Sequence, residues 1–294
     1  MPGLIWWNPL TWPVEPVLLL AAEIAVILYL FGAPAARRPP SARWGPARWR
    51  SLAFYAGIGV ILLSLNGPVE AYARTLFWVH MSQHLLLITV AAPLLVLSAP
   101  GLRLWRGLPL KLRRPLARTA LRAPRLKPLR AAFAFVTAPI PVWVLAAANL
   151  WLWHLPALYD LTLRHHLVHH LEHTLFLGLG LLFWAQVIDQ PPFHSALSQF
   201  QRLMYAFTAT IASWVLAALL GLSSAAFYAY ADLPVRPGGI TALTDQQIGA
   251  GIMWVPGSIA YSILIIWCVM LWLRDEERAA EASVAAHAHG VQAP

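Results

Sequence analysis

Residues 80–100 read HMSQHLLLITVAAPLLVLSAP, and no Lys, Arg, Asp or Glu lies between Arg74 and Arg103. An apolar run of about 20 residues is long enough to cross a bilayer as a helix. The 294-residue chain as a whole is 59% hydrophobic and only 11% charged, whereas roughly a quarter of the residues in soluble domains are charged. This composition predicts a polytopic membrane protein without a large soluble domain.

Apolar segments of spanning length recur along the chain, so we predict an all-α fold with a single seven-helix membrane domain over residues 1–273. The seven predicted spans are residues 14–31, 50–66, 76–98, 132–153, 167–187, 202–222 and 248–273. Residues 274–294 end in an Ala-, His- and Gly-rich piece. We predict that they form a disordered cytoplasmic tail.

Basic residues are concentrated in two predicted loops and indicate the orientation. Residues 32–50 contain five Arg, and residues 99–131 contain ten Arg and Lys, with no acid in either loop. Because short loops rich in Lys and Arg stay cytoplasmic, the N-terminus is predicted outside and the C-terminus inside. The net charge of +9 is then explained by topology and by contact with membrane lipid, and we expect no nucleic-acid partner.

Histidines cluster at the predicted outer ends of the helices. The third and fifth helices each begin with an H-x-x-[Gln/Glu]-H motif, and residues four apart share one helix face. Other ligand-type side chains fall at the same level at the end of the fourth helix and the start of the seventh. The predicted metal ligands are His80, His84, His154, His169, His173, Asp245 and Met253.

The chemistry of these side chains favours a transition metal. Imidazole binds copper, zinc and iron well, and a thioether shifts the preference toward Cu(I). Gln83 and Glu172, inside the two motifs, are predicted to orient an imidazole by accepting its second N–H. His170 adjoins His169, and the four-residue spacing from His173 favours His169 as the ligand. A single cysteine, Cys268, excludes a thiolate-pair site within one chain.

Four motifs carry a family resemblance: HMSQHLLL at 80–87, WHLPALYD at 153–160, VHHLEHTLFLGLGLLFW at 168–184 and DQQIGAGIMWVPG at 245–257. In this order and spacing, the chain resembles the seven-helix cytochrome c oxidase assembly factors of the CtaG type. The resemblance runs from the third predicted helix to the seventh. It is not to the single-span copper chaperone of the same name, whose cysteine pair is absent from this sequence.

The resemblance implies a protein of the bacterial inner membrane that helps to mature a haem–copper oxidase. Its task would be copper delivery on the outer side, as a metal-binding chaperone and not as an enzyme. An oxidase subunit would be its client, and a periplasmic protein could donate the copper. The positions that match the family motifs are again His80, His84, His154, His169, His173, Asp245 and Met253.

Three other functions stay open at this stage. His169, Glu172 and His173 have the H-x-x-E-H form of an inverted zinc-protease motif, which Asp245 could complete as a zinc ligand. Two histidines from separate helices could instead bind haem axially. Glu23, in the middle of the first predicted span, could serve a proton-linked transporter. Metal content and the visible spectrum distinguish copper, zinc and haem.

Overall fold

A computed structural model describes residues 12–33, 46–188, 190, 195–232 and 237–290. The predicted all-α class is confirmed over these residues. The α-helices are α1 (Pro16–Phe31), α2 (Pro46–Ser64), α3 (Gly67–Ala73), α4 (Phe77–Ser98), α5 (Gly101–Gly107), α6 (Leu110–Arg122), α7 (Lys127–Val136), α8 (Pro139–Trp153), α9 (Pro156–Arg164), α10 (His166–Val187), α11 (Gln199–Gly221) and α12 (Ala242–Gly290). Short 3₁₀ turns occupy Pro124–Leu126, Ala229–Asp232 and Pro237–Gly239.

Several of these helices suit a polytopic membrane protein by length and composition. Three of those described are long and apolar enough to cross a bilayer alone: Phe77–Ser98, Gln199–Gly221 and Ala242–Arg278. The number rises to five if two bent pairs each count as one span, with bends of 46° between α2 and α3 and 70° before α8. Seven spans therefore stay a prediction. So does the orientation, since residues 1–11 and the arginines Arg37, Arg38 and Arg43 lie outside the described residues.

A π-helical segment within α4 packs against α10. Residues Leu86–Ala91 form a π-helical segment just before Pro93. Proline has no N–H, so it cannot bond the carbonyl of a residue in the preceding turn. The indole Nε1 of Trp184 on α10 donates to the Ile88 carbonyl at 2.6 Å. A Cβ on Gly180 would lie 3.4 Å from the Cβ of Ala92, so the two helices pack closely along this line.

The start of α12 packs against the start of α4. The carboxylate of Asp245 accepts main-chain N–H bonds from Phe77 and Trp78 at 2.9 and 3.0 Å. These donors have no partner within their own helix, so Asp245 caps α4 from a distant part of the chain. One turn later, a Cβ on Gly249 would lie only 2.5 Å from the Phe77 ring. Glycine is therefore required for this contact.

Two segments differ from expectation. The basic loop at 99–131 contains helices α5 and α6 and the start of α7, with breaks next to Pro109 and Pro124. The last helix continues through Gly290, so it extends into residues 274–294, whose disorder and cytoplasmic location stay predictions. Its final third is rich in Ala, Glu and Arg, which are strong helix formers even without tertiary contacts.

Candidate metal site

Two histidine-bearing helix faces meet at the contact between α4 and α10. The metal-binding atoms of His80, His169, Glu172 and His173 all lie within 4.8 Å of one another, and all four residues are buried. Three of them, His169, Glu172 and His173, share one face of α10 because they are three and four positions apart, and His80 comes from α4. The contact between the two helices thus brings residues 89 positions apart into one group, called here the His/Glu group.

The His/Glu group contains buried polar atoms that have no hydrogen-bond partner among the described residues. They are His80 Nε2, His173 Nε2 and both carboxylate oxygens of Glu172. His80 Nε2 lies 3.4 Å from Glu172 Oε2. The hydroxyl of Thr162 lies near Glu172, but it donates its only proton to the Tyr159 carbonyl and not to the carboxylate. Unpartnered buried polar atoms are costly, and their convergence on one point suits a bound cation.

His84 adjoins the group but is not one of its four members. Its Nε2 lies 3.6 Å from Glu172 Oε1, and its ring centre lies 5.1 Å from that of His173. Both of its ring nitrogens are buried and lack a hydrogen-bond partner among the described residues. His84 is therefore available as a further metal ligand beside the group.

The far side of His80 is held by two tyrosines. His80 Nδ1 lies 2.7 Å from the Tyr159 hydroxyl, which lies 3.4 Å from the Tyr230 hydroxyl. Tyr230 donates to the Ala73 carbonyl at 2.6 Å. Burial raises the pKa of Tyr159 and Tyr230 well above that of an ordinary phenol, so both keep their protons. This series of hydrogen bonds allows the Nδ1–H group of His80 to donate to the Tyr159 hydroxyl. The lone pair of His80 Nε2 is then left for a metal.

The two residues predicted to orient imidazoles have different contacts. Glu172 lies inside the His/Glu group as a potential ligand. Gln83 donates through Nε2 to Glu70 at 2.8 Å and to the Ser64 carbonyl at 2.7 Å. Glu70, which the sequence analysis missed, lies 3.7 Å from His169 Nδ1. The only signal for it was an acid in a short segment predicted to lie outside.

The remaining predicted ligands lie apart from the His/Glu group. The carboxylate of Asp245 accepts two main-chain N–H bonds at the start of α4. His154 and Met253 line a separate cavity of about 110 Å³ together with Met81 and His84. His154 is nevertheless close, because its ring centre lies 6.4 Å from that of His84. Glu23 is exposed on α1.

A second group of ligand-type side chains lies nearer the surface. Glu15 pairs with His166 at 3.1 Å and with His170 at 3.2 Å. His170 is thus directed away from the His/Glu group, whereas His169 belongs to it. A cavity of about 170 Å³ is lined in part by Arg74, by His166 of the surface group and by His169 of the buried group. Sequence reasoning missed Glu15, which lay at the start of the first predicted span.

Comparison with known proteins gives one family. A family model described as cytochrome c oxidase caa3 assembly factor matches residues 27–275. Uncharacterised proteins of Mycobacterium bovis and Mycobacterium tuberculosis are each 28% identical over 278 residues, and one of Mycobacterium leprae is 26% identical over 275 residues. These alignments cover 92% of this chain but 40% of each relative, so the chain spans less than half the length of these relatives. No solved structure matches the chain.

Proposed function

The chain belongs to the cytochrome c oxidase caa3 assembly factor family, and from this premise we propose that it binds copper at the His/Glu group and passes it to an oxidase subunit. The observation that carries the proposal is the convergence of buried ligand atoms from His80, Glu172 and His173 that have no hydrogen-bond partner among the described residues. Copper is cargo in this proposal, held in passing and then released.

The donor set suits a copper ion that must be released again. Neutral imidazoles are good ligands for copper, and the Glu172 carboxylate supplies a negative charge that offsets the charge of the ion. His84, next to the group, could replace one ligand as another leaves. Such stepwise ligand exchange needs no redox step and no cysteine pair.

The surface group provides a path inward. Copper from a periplasmic donor would meet Glu15, His166 and His170 first, and then cross the adjoining cavity to His169. In this proposal the protein has seven spans in the bacterial inner membrane, with its N-terminus outside and its C-terminus in the cytoplasm. The His/Glu group then lies near the outer face, where a client oxidase subunit takes up the metal.

Metal content and the visible spectrum of the detergent-purified chain test this function. We expect copper after anaerobic loading with Cu(I), no haem absorption, and loss of the copper in the His80→Ala/His84→Ala double variant. His165→Ala is the matched control because His165 is exposed and lies outside the group. Zinc in place of copper would favour a hydrolase, and a Soret band would favour haem binding. Unchanged copper in the double variant would contradict the proposed site.

A further inference from the structure

The cavity beside His84 contains a second pair of metal-binding atoms. His154 Nε2 lies 3.3 Å from the sulfur of Met81, and this contact is buried. Met81 follows His80 on α4, and His154 follows the last residue of α8. Neither residue belongs to the His/Glu group, and Met81 lies outside the predicted ligand set.

The proton on His154 can be assigned from its other contact. His154 Nδ1 lies 2.7 Å from the Leu150 carbonyl, which can only accept a hydrogen bond, so Nδ1 carries the proton. In a neutral imidazole, Nε2 then has a lone pair. A thioether sulfur has no proton to donate either. Two lone pairs therefore face each other at 3.3 Å in a buried place, an arrangement that a cation between them would stabilise.

We propose that His154 and Met81 form a second metal site that takes a soft monovalent ion, Cu(I), and that His84 connects this site to the His/Glu group. The inference rests on the proposed function for the identity of the cargo. The separation is suitable, because bonds of about 2.0 Å to nitrogen and 2.3 Å to sulfur span 3.3 Å at an angle of roughly 100°. That angle is close to tetrahedral.

The surroundings of the pair favour a soft ion over a hard one. The cavity is lined mainly by apolar side chains, and no Asp, Glu, Lys or Arg is among them. Hard divalent cations prefer oxygen ligands, whereas thioether sulfur favours Cu(I). Met253 lines the same cavity and is the candidate third ligand. The two sites thus differ in charge: the first includes a carboxylate, and the second consists of neutral ligands.

The position of His84 gives the two sites a route of exchange. Its ring lines the cavity that contains Met81 and His154, while its Nε2 lies 3.6 Å from Glu172. A ligand that reaches both sites lets an ion move without leaving protein donors. The inferred sequence is capture at the His/Glu group, exchange onto His84, and residence on the His154–Met81 pair.

Silver(I) is the probe for the second site, since it is soft, monovalent and redox-inert. The full-length chain in detergent would be loaded with Ag(I), and bound silver and its sulfur neighbours measured by metal analysis and X-ray absorption. We expect Met81→Leu to remove one silver ion per chain and the sulfur signal. Met204→Leu is the matched control, because Met204 is partly exposed on α11 and lies outside the cavity.

A second variant distinguishes loss of the site from misfolding of Met81→Leu. His154→Asn keeps an N–H group near the Leu150 carbonyl but removes Nε2, and we expect it to lose the same silver ion. Unchanged silver and an unchanged sulfur signal in both folded variants would overturn the second site. The proposed function is tested separately by copper loss in His80→Ala/His84→Ala. An unchanged amount of copper there, together with silver lost in Met81→Leu, would refute the His/Glu group and leave the second site standing.

Discussion

His80 Nε2 lies 3.4 Å from Glu172 Oε2 across the contact between α4 and α10, and both atoms are buried without a hydrogen-bond partner among the described residues. Neither helix could hold such atoms alone in an apolar environment at low cost. In the proposed function, both residues are copper ligands.

Glu172→Gln should separate metal binding from folding. Removing a buried carboxylate that has no hydrogen-bond partner among the described residues should leave the metal-free protein as stable as the parent, or more stable by about 1–3 kcal/mol. The variant should lose most of the thermal stabilisation that Cu(I) gives the parent. Thermal unfolding followed by tryptophan fluorescence, with and without Cu(I), measures both effects. An equal copper-induced shift in parent and variant would contradict the role of Glu172 as a ligand.

Tyr159→Phe should weaken copper binding without disturbing the packing. The variant keeps the ring but loses the hydroxyl that lies 2.7 Å from His80 Nδ1. Loss of such an orienting partner typically costs about 10–100-fold in metal affinity. Competition with a chromophoric Cu(I) chelator measures the change. Tyr205→Phe is the control, because the buried Tyr205 hydroxyl has no hydrogen-bond partner among the described residues; equal affinities in the two variants would refute the prediction.

Asp245→Ala should destabilise the fold without loss of bound copper. Both oxygens of Asp245 accept N–H bonds at the start of α4, and loss of such a cap costs about 1–2 kcal/mol. We expect a lower unfolding temperature and an unchanged ratio of copper to folded protein. If copper is lost while the unfolding temperature is unchanged, Asp245 is a ligand, as its sequence position predicts.

His166→Ala/His170→Ala should slow copper loading and leave the final amount unchanged. The two side chains pair with Glu15 at the surface and lie apart from the His/Glu group. Stopped-flow loading from a Cu(I) complex measures the rate, and metal analysis measures the end point. His165→Ala should load at the parental rate. Parental loading by the double variant would exclude this path.

Trp184→Phe should loosen the contact that brings the histidine pairs together. The variant removes the part-buried hydrogen bond to the Ile88 carbonyl, and a typical hydrogen bond contributes about 0.5–1.5 kcal/mol to stability. We expect a lower unfolding temperature and weaker copper binding together. Trp254→Phe, at a partly exposed tryptophan of α12, is the control and should change neither property appreciably.

Helical class and the pairing of histidines on helix faces could be predicted from local pattern. Apolar length indicates helices, and a four-residue spacing places His80 with His84 and His169 with His173 on common faces. Spacing alone favoured His169 over His170, and His169 is the one that lies in the His/Glu group. These inferences need only the geometry of a single helix.

Contacts between helices were beyond local pattern. Three features depend on how α4 meets α8, α10 and α12. They are the position of Glu172 in the His/Glu group, the contact of Met81 with His154, and the cap that Asp245 forms. Those crossings are determined by packing details such as the π-helical turn before Pro93 and the close approach at Gly249. A sequence specifies which side chains share a face of one helix, but the partner of that face depends on the packing of the whole bundle.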